Sequence, residues 1–178
     1  MKSLVAVVLT LAVTAGCGGG SPSTRTLTAT DVSNIPPGDA VGTMLSGSYL
    51  VVRDSIEGCD CRVGSCSNVH GESEIGATQV VTQQDGALSL VDSGYRTNTP
   101  LLGGVDADNK FSVGGGLEIP SYLGQGVTYS LRTGTFSVSD GVPTGMEYTI
   151  DSSITGSVTD VSYDCDIHSS GSTRYEGP

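Results

Sequence analysis

The chain of 178 residues has few of the residues that build catalytic sites and aromatic pockets. It contains no tryptophan, two phenylalanines and two histidines, and its 8 lysines and arginines stand against 19 acidic residues. The net charge of −11 repels phosphate backbones and anionic headgroups, which argues against nucleic-acid binding. The sequence also lacks the Gly-x-Ser-x-Gly, His-Glu-x-x-His, P-loop and Rossmann patterns. We therefore expect a protein that is not an enzyme and holds no metal or other cofactor.

A hydrophobic run of membrane-spanning length is also missing. Lys2 is followed by an uncharged, mostly apolar run to Gly16, shorter than the roughly 20 residues that span a bilayer. A basic start, an apolar centre and small residues before a cleavage point are typical of a secretory signal peptide. The run Thr14-Ala15-Gly16-Cys17 resembles the lipobox of bacterial lipoprotein precursors. The resemblance implies that residues 1–16 are a signal peptide and that an acyl chain such as palmitate is attached to Cys17; an ordinary cleaved leader or a retained anchor is the alternative.

The residues after Cys17 predict where the protein is held. Gly18, and not Asp, follows the cysteine, which by resemblance to Gram-negative lipoprotein sorting implies the outer membrane. Residues 17–46 are rich in Gly, Ser and Pro and show no apolar period. We interpret them as a lipidated N-terminus and a flexible tether with a reach of roughly 30 Å. Residues 47–178 then form one domain, whose membrane partner is bound through the N-terminal lipid.

The domain alternates apolar and polar residues in short runs separated by turn residues. Asp85-Gly86, between residues 78–84 and 87–91, is a strong hairpin signal. Residues 106–109 predict a second hairpin turn, and Gly134 is expected to bend or break the run over 127–138. In residues 160–168, four apolar residues alternate with five polar ones, as a half-buried antiparallel strand requires.

These runs predict an all-β fold. About eight or nine strands with consecutive hairpins favour an antiparallel up-and-down (meander) β-barrel, and a two-sheet β-sandwich is the alternative. The hairpin sequences at 80–88, 104–111 and 134–137 are similar to those of small lipocalin-like barrels in secreted bacterial lipoproteins. The resemblance implies a barrel over about 47–168.

Four cysteines besides Cys17 predict two disulfides, because an even number in an exported chain is typical of a disulfide framework. A Cys59–Cys61 bridge is disfavoured, since one intervening residue in an extended chain gives poor bridging geometry. Either Cys59 or Cys61 should therefore bond to Cys165, and the other should bond to Cys66. We expect Cys59–Cys165 together with Cys61–Cys66.

Other ligand-type residues have two interpretations each. The four cysteines, or some of them with His70 or His168, offer zinc ligands, but the paired spacing of structural zinc motifs is missing. Asp106, Asp108 and Asn109 resemble the start of a calcium loop but also fit the hairpin turn. The acidic residues of the last strand, Asp160, Asp164 and Asp166, are expected to form a solvated face.

Three functions follow from this sequence. The first is a non-enzymatic, membrane-tethered envelope lipoprotein whose barrel binds a small apolar or amphipathic ligand. The alternative is an envelope structural or protein-interaction module whose barrel is filled by side chains. A secreted hydrolase with paired carboxylates is a minor alternative. A cavity of several hundred cubic ångströms inside the barrel distinguishes the first from the second.

Overall fold

The chain is built almost entirely of strands. A computed structural model describes residues 24–69, 75–93, 99–118, 124–158 and 161–178. The predicted signal peptide over residues 1–16, Cys17, Gly18, His70 and Asp160 lie outside these ranges. Within them the elements, in chain order, are α1 (Ala29–Ser33), β1 (Gly47–Val63), α2 (Cys66–Val69), β2 (Thr78–Gln84), β3 (Ala87–Asp92), β4 (Leu101–Val105), β5 (Lys110–Glu118), β6 (Gly124–Ser139), β7 (Val142–Val158) and β8 (Val161–Gly177).

The strands form a closed meander. Each strand pairs with the next one along the chain, and β8 pairs antiparallel with β1, so the sheet closes into a barrel. The predicted all-β meander barrel is confirmed, and the strands do not divide into the two sheets of a sandwich. Closure gives the backbone groups of both terminal strands a partner, which a flat sheet would leave unpaired.

The turns use the residues that the sequence indicated. Asp85 follows β2 with a φ of 52°, and Asn109 precedes β5 with a φ of 64°. Asp and Asn tolerate this left-handed region better than most other residues with a side chain. The turn between β6 and β7 consists of Asp140 and Gly141, with φ of 53° and 76°. Both predicted hairpins, at 85–86 and 106–109, are confirmed.

Five strands continue beyond the closed part of the barrel, and β5 does so only over Gly115–Glu118, which pair with β6. The ladder of β1 with β2 covers Gly47–Leu50, whereas the ladder of β1 with β8 runs from Ser48 to Val63. The β6–β7 and β7–β8 ladders continue with it to Val158. We call residues 52–63 of β1, 161–170 of β8, 150–158 of β7 and 124–131 of β6 the sheet extension.

Side chains fill the closed part of the barrel. The ring of Phe136 lies 5.6 Å from that of Tyr49 and 4.9 Å from that of Phe111, measured between centroids. Gly171 leaves room for another ring, because a Cβ there would lie 2.5 Å from Tyr148 Cζ. The buried cluster comprises Leu45, Tyr49, Val81, Leu88, Leu90, Leu101, Val105, Phe111, Val113, Phe136, Met146, Tyr148 and Ile150.

Residues 24–46, which we call the N-terminal strap, cross the outside of the barrel and then bring Leu45 into the buried cluster. The amide of Leu27 donates to Ser153 Oγ of β7 at 2.6 Å, and the amide of Gly38 donates to the carbonyl of Gly86 at 2.8 Å. Leu27, Val32 and Leu45 are buried. The expected flexible tether over 17–46 is therefore wrong for residues 24–46, because three apolar side chains of this segment find partners on the barrel.

Glycines make room for the strap on the outer face of β4 and β5. A Cβ on Gly104 would lie 2.4 Å from both Gly38 N and Pro36 O, which is a severe clash. A Cβ on Gly114 would lie 2.8 Å from Ile35 Cδ1. The backbone of the strap thus approaches the sheet more closely than any side chain at these positions would permit.

Candidate functional site

The four cysteines meet at one place on the inner side of the sheet extension. Cys59 bonds to Cys66 and Cys61 bonds to Cys165. The expected connectivity, Cys59–Cys165 with Cys61–Cys66, is wrong. The observed pairing follows from the strand register, which places Cys61 directly opposite Cys165 and Cys59 opposite Ile167. The two disulfides themselves are as predicted.

The two bridges are in contact with one another. Cys61 Sγ lies 3.5 Å from Cys66 Sγ and 3.9 Å from Cys59 Sγ. The sulfurs of Cys59, Cys61 and Cys66 all lie within 4.8 Å of one another, a spacing that would suit a metal ion. In the bridged form these sulfurs are not thiolates, and a thiolate is the form that binds a metal.

His168 does not join the cysteines. It lies three residues after Cys165 on β8 and therefore projects from the opposite face. Its Nδ1 lies 2.6 Å from Asp151 Oδ1 on the neighbouring strand. The alternative zinc site that combined cysteines with His168 therefore has no support in the geometry.

An ion cluster lies on the outer face of the sheet extension. The Arg62 guanidinium contacts Asp164 at 2.5 Å and Asp166 at 2.7 Å. Asp166 also accepts hydrogen bonds from Thr26 Oγ1 at 2.5 Å and from Ser153 Oγ at 2.6 Å. Asp166 is only 2% exposed, so the expected solvated face is wrong at this residue. The strap and Arg62 cover it.

The ion cluster shifts the pKa values of its acids. Burial alone would raise the pKa of Asp166, but the hydrogen bonds from Arg62, Ser153 and Thr26 together outweigh burial and lower it. The hydrogen bond from Arg62 lowers the pKa of Asp164. Both carboxylates stay ionised and serve as acceptors, which is a structural role.

A polar layer lies inside the barrel next to the aromatic core. Arg132 is 2% exposed and makes two hydrogen bonds to the carboxylate of Asp92, at 3.2 and 3.0 Å. Its guanidinium carbon lies 4.7 Å from the centroid of the Tyr148 ring, and Gln79 Nε2 donates to the Tyr148 hydroxyl at 3.3 Å. The sequence analysis missed this layer, because Arg132 is one of the polar residues in the alternating run over 127–138.

Tyr129 and Leu131, two apolar residues of that run, face outward. Leu131 pairs with Asp151 on the outer face and lines a cleft of about 510 Å³ between the strap and the barrel wall. Ile35, Pro36, Pro37 and Phe111 contribute apolar atoms to the cleft. The other lining residues are Asp31, Asn34, Gly38, Gly104, Asp106, Lys110 and Ser112.

The proposed calcium ligand Asp106 acts as a turn residue. Its Oδ1 accepts hydrogen bonds from the amides of Asp108 and Lys110, at 2.9 and 2.8 Å. Asn109 closes the same turn with its positive φ. The arrangement is that of an Asx turn, in which the carboxylate substitutes for a backbone acceptor. The interpretation of residues 106–109 as a hairpin turn accounts for these contacts.

No protein-family description matches the chain, and no curated protein matches it. In the part of the chain that the structure describes, none of the helices has the length and apolar character needed to cross a membrane. The function therefore has to be argued from the geometry above.

Proposed function

We propose that the chain is a lipid-anchored envelope protein that acts without catalysis, as a structural or protein-interaction module. The observation that carries the proposal is the filled barrel. Tyr49, Leu90 and Val113 have no exposed surface, and the ring of Phe136 packs against the rings of Tyr49 and Phe111. A ligand inside the barrel would have to displace this core, at a cost of several kcal/mol.

The strap changes how such an anchor would hold the domain. Thr26 contacts Asp166 on the outer face of the sheet extension, so the chain leaves the barrel at that end. Between Cys17 and Thr24 there are seven peptide steps, which span at most about 25 Å. A lipid on Cys17 would therefore keep the sheet extension close to the membrane and the hairpin end of the barrel away from it.

Two features support export and anchoring. The Cys61–Cys165 bridge joins residues 104 positions apart, and such bridges persist in oxidising compartments. The acidic composition and the lipobox-like run at residues 14–17 are as expected for an envelope lipoprotein.

The anchor is tested by Cys17→Ser. This variant should leave the membrane fraction after cell lysis, or remain as an uncleaved precursor, whereas wild-type protein should incorporate labelled palmitate. Cys59→Ser/Cys66→Ser serves as the matched control, because it removes one complete disulfide without touching the lipobox. Palmitate labelling of the Cys17→Ser variant would contradict the anchor.

The filled barrel is tested by native mass spectrometry of protein purified from its own cells. We expect a single mass that corresponds to the lipidated chain alone. A retained small molecule whose release needs unfolding would contradict the filled barrel. It would support instead the binding of a small ligand inside the barrel, the first function expected from the sequence.

The sheet extension is the surface on which we expect a protein partner. Val63 and Val161 lie at its far end and are 48% and 40% exposed. A photo-crosslinking residue at either position should give one discrete adduct in intact cells. Val142, 54% exposed at the opposite end of the barrel, is the matched control and should give none. Equal labelling at Val142 would refute the assignment of the surface.

The cleft beneath the strap favours a second candidate function, the binding of a small amphipathic ligand outside the barrel wall. Its volume of about 510 Å³ falls within the usual range of ligand sites, and Lys110 and Asp31 lie beside its apolar atoms. Ser112→Phe should block the cleft, and Val80→Phe, at an exposed position of β2 that does not line the cleft, is the control. If a fluorescent amphiphile binds both variants and wild type equally, the cleft is not its site.

A further inference from the structure

The contact between the two disulfides gives the cysteine cluster a chemistry that a pair of separate bridges would not have. Cys59 and Cys61 are two residues apart on β1, so their side chains project from the same face. Cys66, on α2, folds back to the same place. As a result, Cys61 Sγ of one bridge lies 3.5 Å from Cys66 Sγ of the other.

The cysteines differ in their access to solvent. Cys165 is fully buried, whereas Cys59, Cys61 and Cys66 are each partly exposed. A thiolate attacks a disulfide at one sulfur and releases the other, so access to that sulfur limits the reaction. An external thiol can therefore reach both sulfurs of the Cys59–Cys66 bridge, whereas in the Cys61–Cys165 bridge only the Cys61 sulfur is open to it.

We propose that the cluster is a thiol–disulfide exchange site, at which a small thiol of the glutathione type bonds to Cys59 and thereby opens the bridge between β1 and β8. In the first step the external thiolate attacks Cys59 Sγ. A mixed disulfide forms on Cys59, the Cys59–Cys66 bond breaks, and Cys66 leaves as a thiolate.

The second step is intramolecular. The Cys66 thiolate attacks Cys61 Sγ at its distance of 3.5 Å, the Cys61–Cys66 bond forms, and the Cys61–Cys165 bond breaks. Cys165 leaves as a thiolate and takes up the proton that the external thiol lost. Two disulfides are present before and after, so the exchange needs no oxidant or reductant besides the thiol.

The product differs from the starting state in one long-range connection. The bridge across 104 residues is lost, and a bridge between two residues five positions apart replaces it. The sheet extension then loses its only covalent tie among the described residues between β1 and β8. A modification at the exposed bridge is thereby transmitted to the strand pair that carries the ion cluster of Arg62 and Asp166.

The sequence allows all three neighbouring cysteines to be distinguished in a peptide map. Cleavage before Asp60 separates Cys59 from Cys61, and tryptic cleavage after Arg62 separates Cys61 from Cys66. The oxidised full chain is incubated with reduced glutathione, quenched with N-ethylmaleimide and digested without reduction. Each linked pair and each modified thiol is then identified by mass spectrometry.

We expect glutathione on Cys59, maleimide on Cys165 and a peptide linked through Cys61 and Cys66. Glutathione on Cys61 or Cys165, or a maleimide-modified Cys165 without the new linked peptide, would overturn the proposal. An unchanged map at glutathione concentrations that open ordinary exposed disulfides would overturn it as well.

Two variants separate exchange from simple reduction. In Cys59→Ser/Cys66→Ser the site of attack is gone, so the Cys61–Cys165 bridge should react with glutathione at least about tenfold more slowly than in wild type. In Cys165→Ser, Cys61 has lost its partner and is a free thiol beside Cys66. It should attack Cys66 and release Cys59, so that a Cys61–Cys66 linkage and a free Cys59 form without any added thiol. The exchange site would be refuted if the Cys61–Cys165 bridge of the first variant reacted with glutathione as fast as in wild type and the second variant kept its Cys59–Cys66 linkage.

Discussion

The two disulfides close loops of very different length, so their removal should destabilise the protein by very different amounts. In the chain-entropy description, the Cys61–Cys165 bridge, with a separation of 104 residues, contributes about 4.7 kcal/mol to the free energy of unfolding. The Cys59–Cys66 bridge, with a separation of 7 residues, contributes about 2.4 kcal/mol. Removing both cysteines of a bridge avoids a free thiol that would exchange with the remaining pair.

The comparison is made by urea unfolding at neutral pH without reductant. Cys61→Ala/Cys165→Ala should lose about 2.4 kcal/mol more than Cys59→Ala/Cys66→Ala, which corresponds to a difference of about 1–2 M in the midpoint. The m-value of the first variant should also rise, because its unfolded chain is less constrained and exposes more surface.

One result would refute the reasoning. If Cys59→Ala/Cys66→Ala were destabilised as much as or more than Cys61→Ala/Cys165→Ala, the long loop would not be closed by Cys61 and Cys165. Guanidinium unfolding of the same two variants is the control, since charge screening by this salt leaves the loop-closure difference in place.

Three further changes test the strap and the polar layer. Asp166→Asn should lower the free energy of unfolding by about 1–3 kcal/mol at neutral pH. Because the pKa of Asp166 is lowered in the folded state, its contribution is present above about pH 4 and is lost in more acid solution. The urea midpoints of Asp166→Asn and wild type should therefore converge below about pH 4. Gly104→Ala should displace the strap and expose it to limited proteolysis, whereas Gly116→Ala, whose Cβ would meet only ring carbons at 3.1 Å, should not. Arg132→Leu alone should destabilise by about 3–5 kcal/mol, since it leaves the Asp92 carboxylate without its buried partner, and Arg132→Leu/Asp92→Leu should recover part of this loss in thermal unfolding.

Local signals in the sequence account for the predictions that the structure confirms. The bounds predicted for β2, residues 78–84, agree with the structure, because this short run ends at an unambiguous Asp-Gly turn. The class of fold followed from the period of two and from Asp-Gly turns, which depend on near neighbours in the chain.

The strands that the sequence underestimates depend on distant partners. β6 continues through Gly134, which was expected to bend or break the strand. The glycine instead makes room for the Phe111 ring, since a Cβ at residue 134 would lie 2.9 Å from Phe111 Cε1. β8 continues to Gly177 through a run of Ser and Gly without apolar alternation. Its Gly171 is an interior residue that makes room for Tyr148, and no local pattern indicates that.

The face of β6 was also beyond local reasoning. Tyr129 and Leu131 are apolar, yet their polar neighbour Arg132 is the residue that is buried in the barrel. The strap covers the outer face, so apolar residues are accommodated on both sides of the sheet there. The rule of apolar-inside and polar-outside assumes one covered face, and it fails wherever a second segment covers the other.

The disulfide connectivity shows how small irregularities decide a long-range contact. Tyr49 of β1 pairs with Tyr175 of β8. Cys59 lies ten residues after Tyr49, and Cys165 lies ten residues before Tyr175. An uninterrupted ladder would therefore pair Cys59 with Cys165, which is the bridge expected from the sequence. The register shifts once between Val51 and Arg53 and once more between Ile56 and Gly58. Each bulge adds one residue to β1, and two of them restore the original face while moving the partner of Cys165 on to Cys61. The covalent framework therefore depends on two bulges that no cysteine spacing reveals.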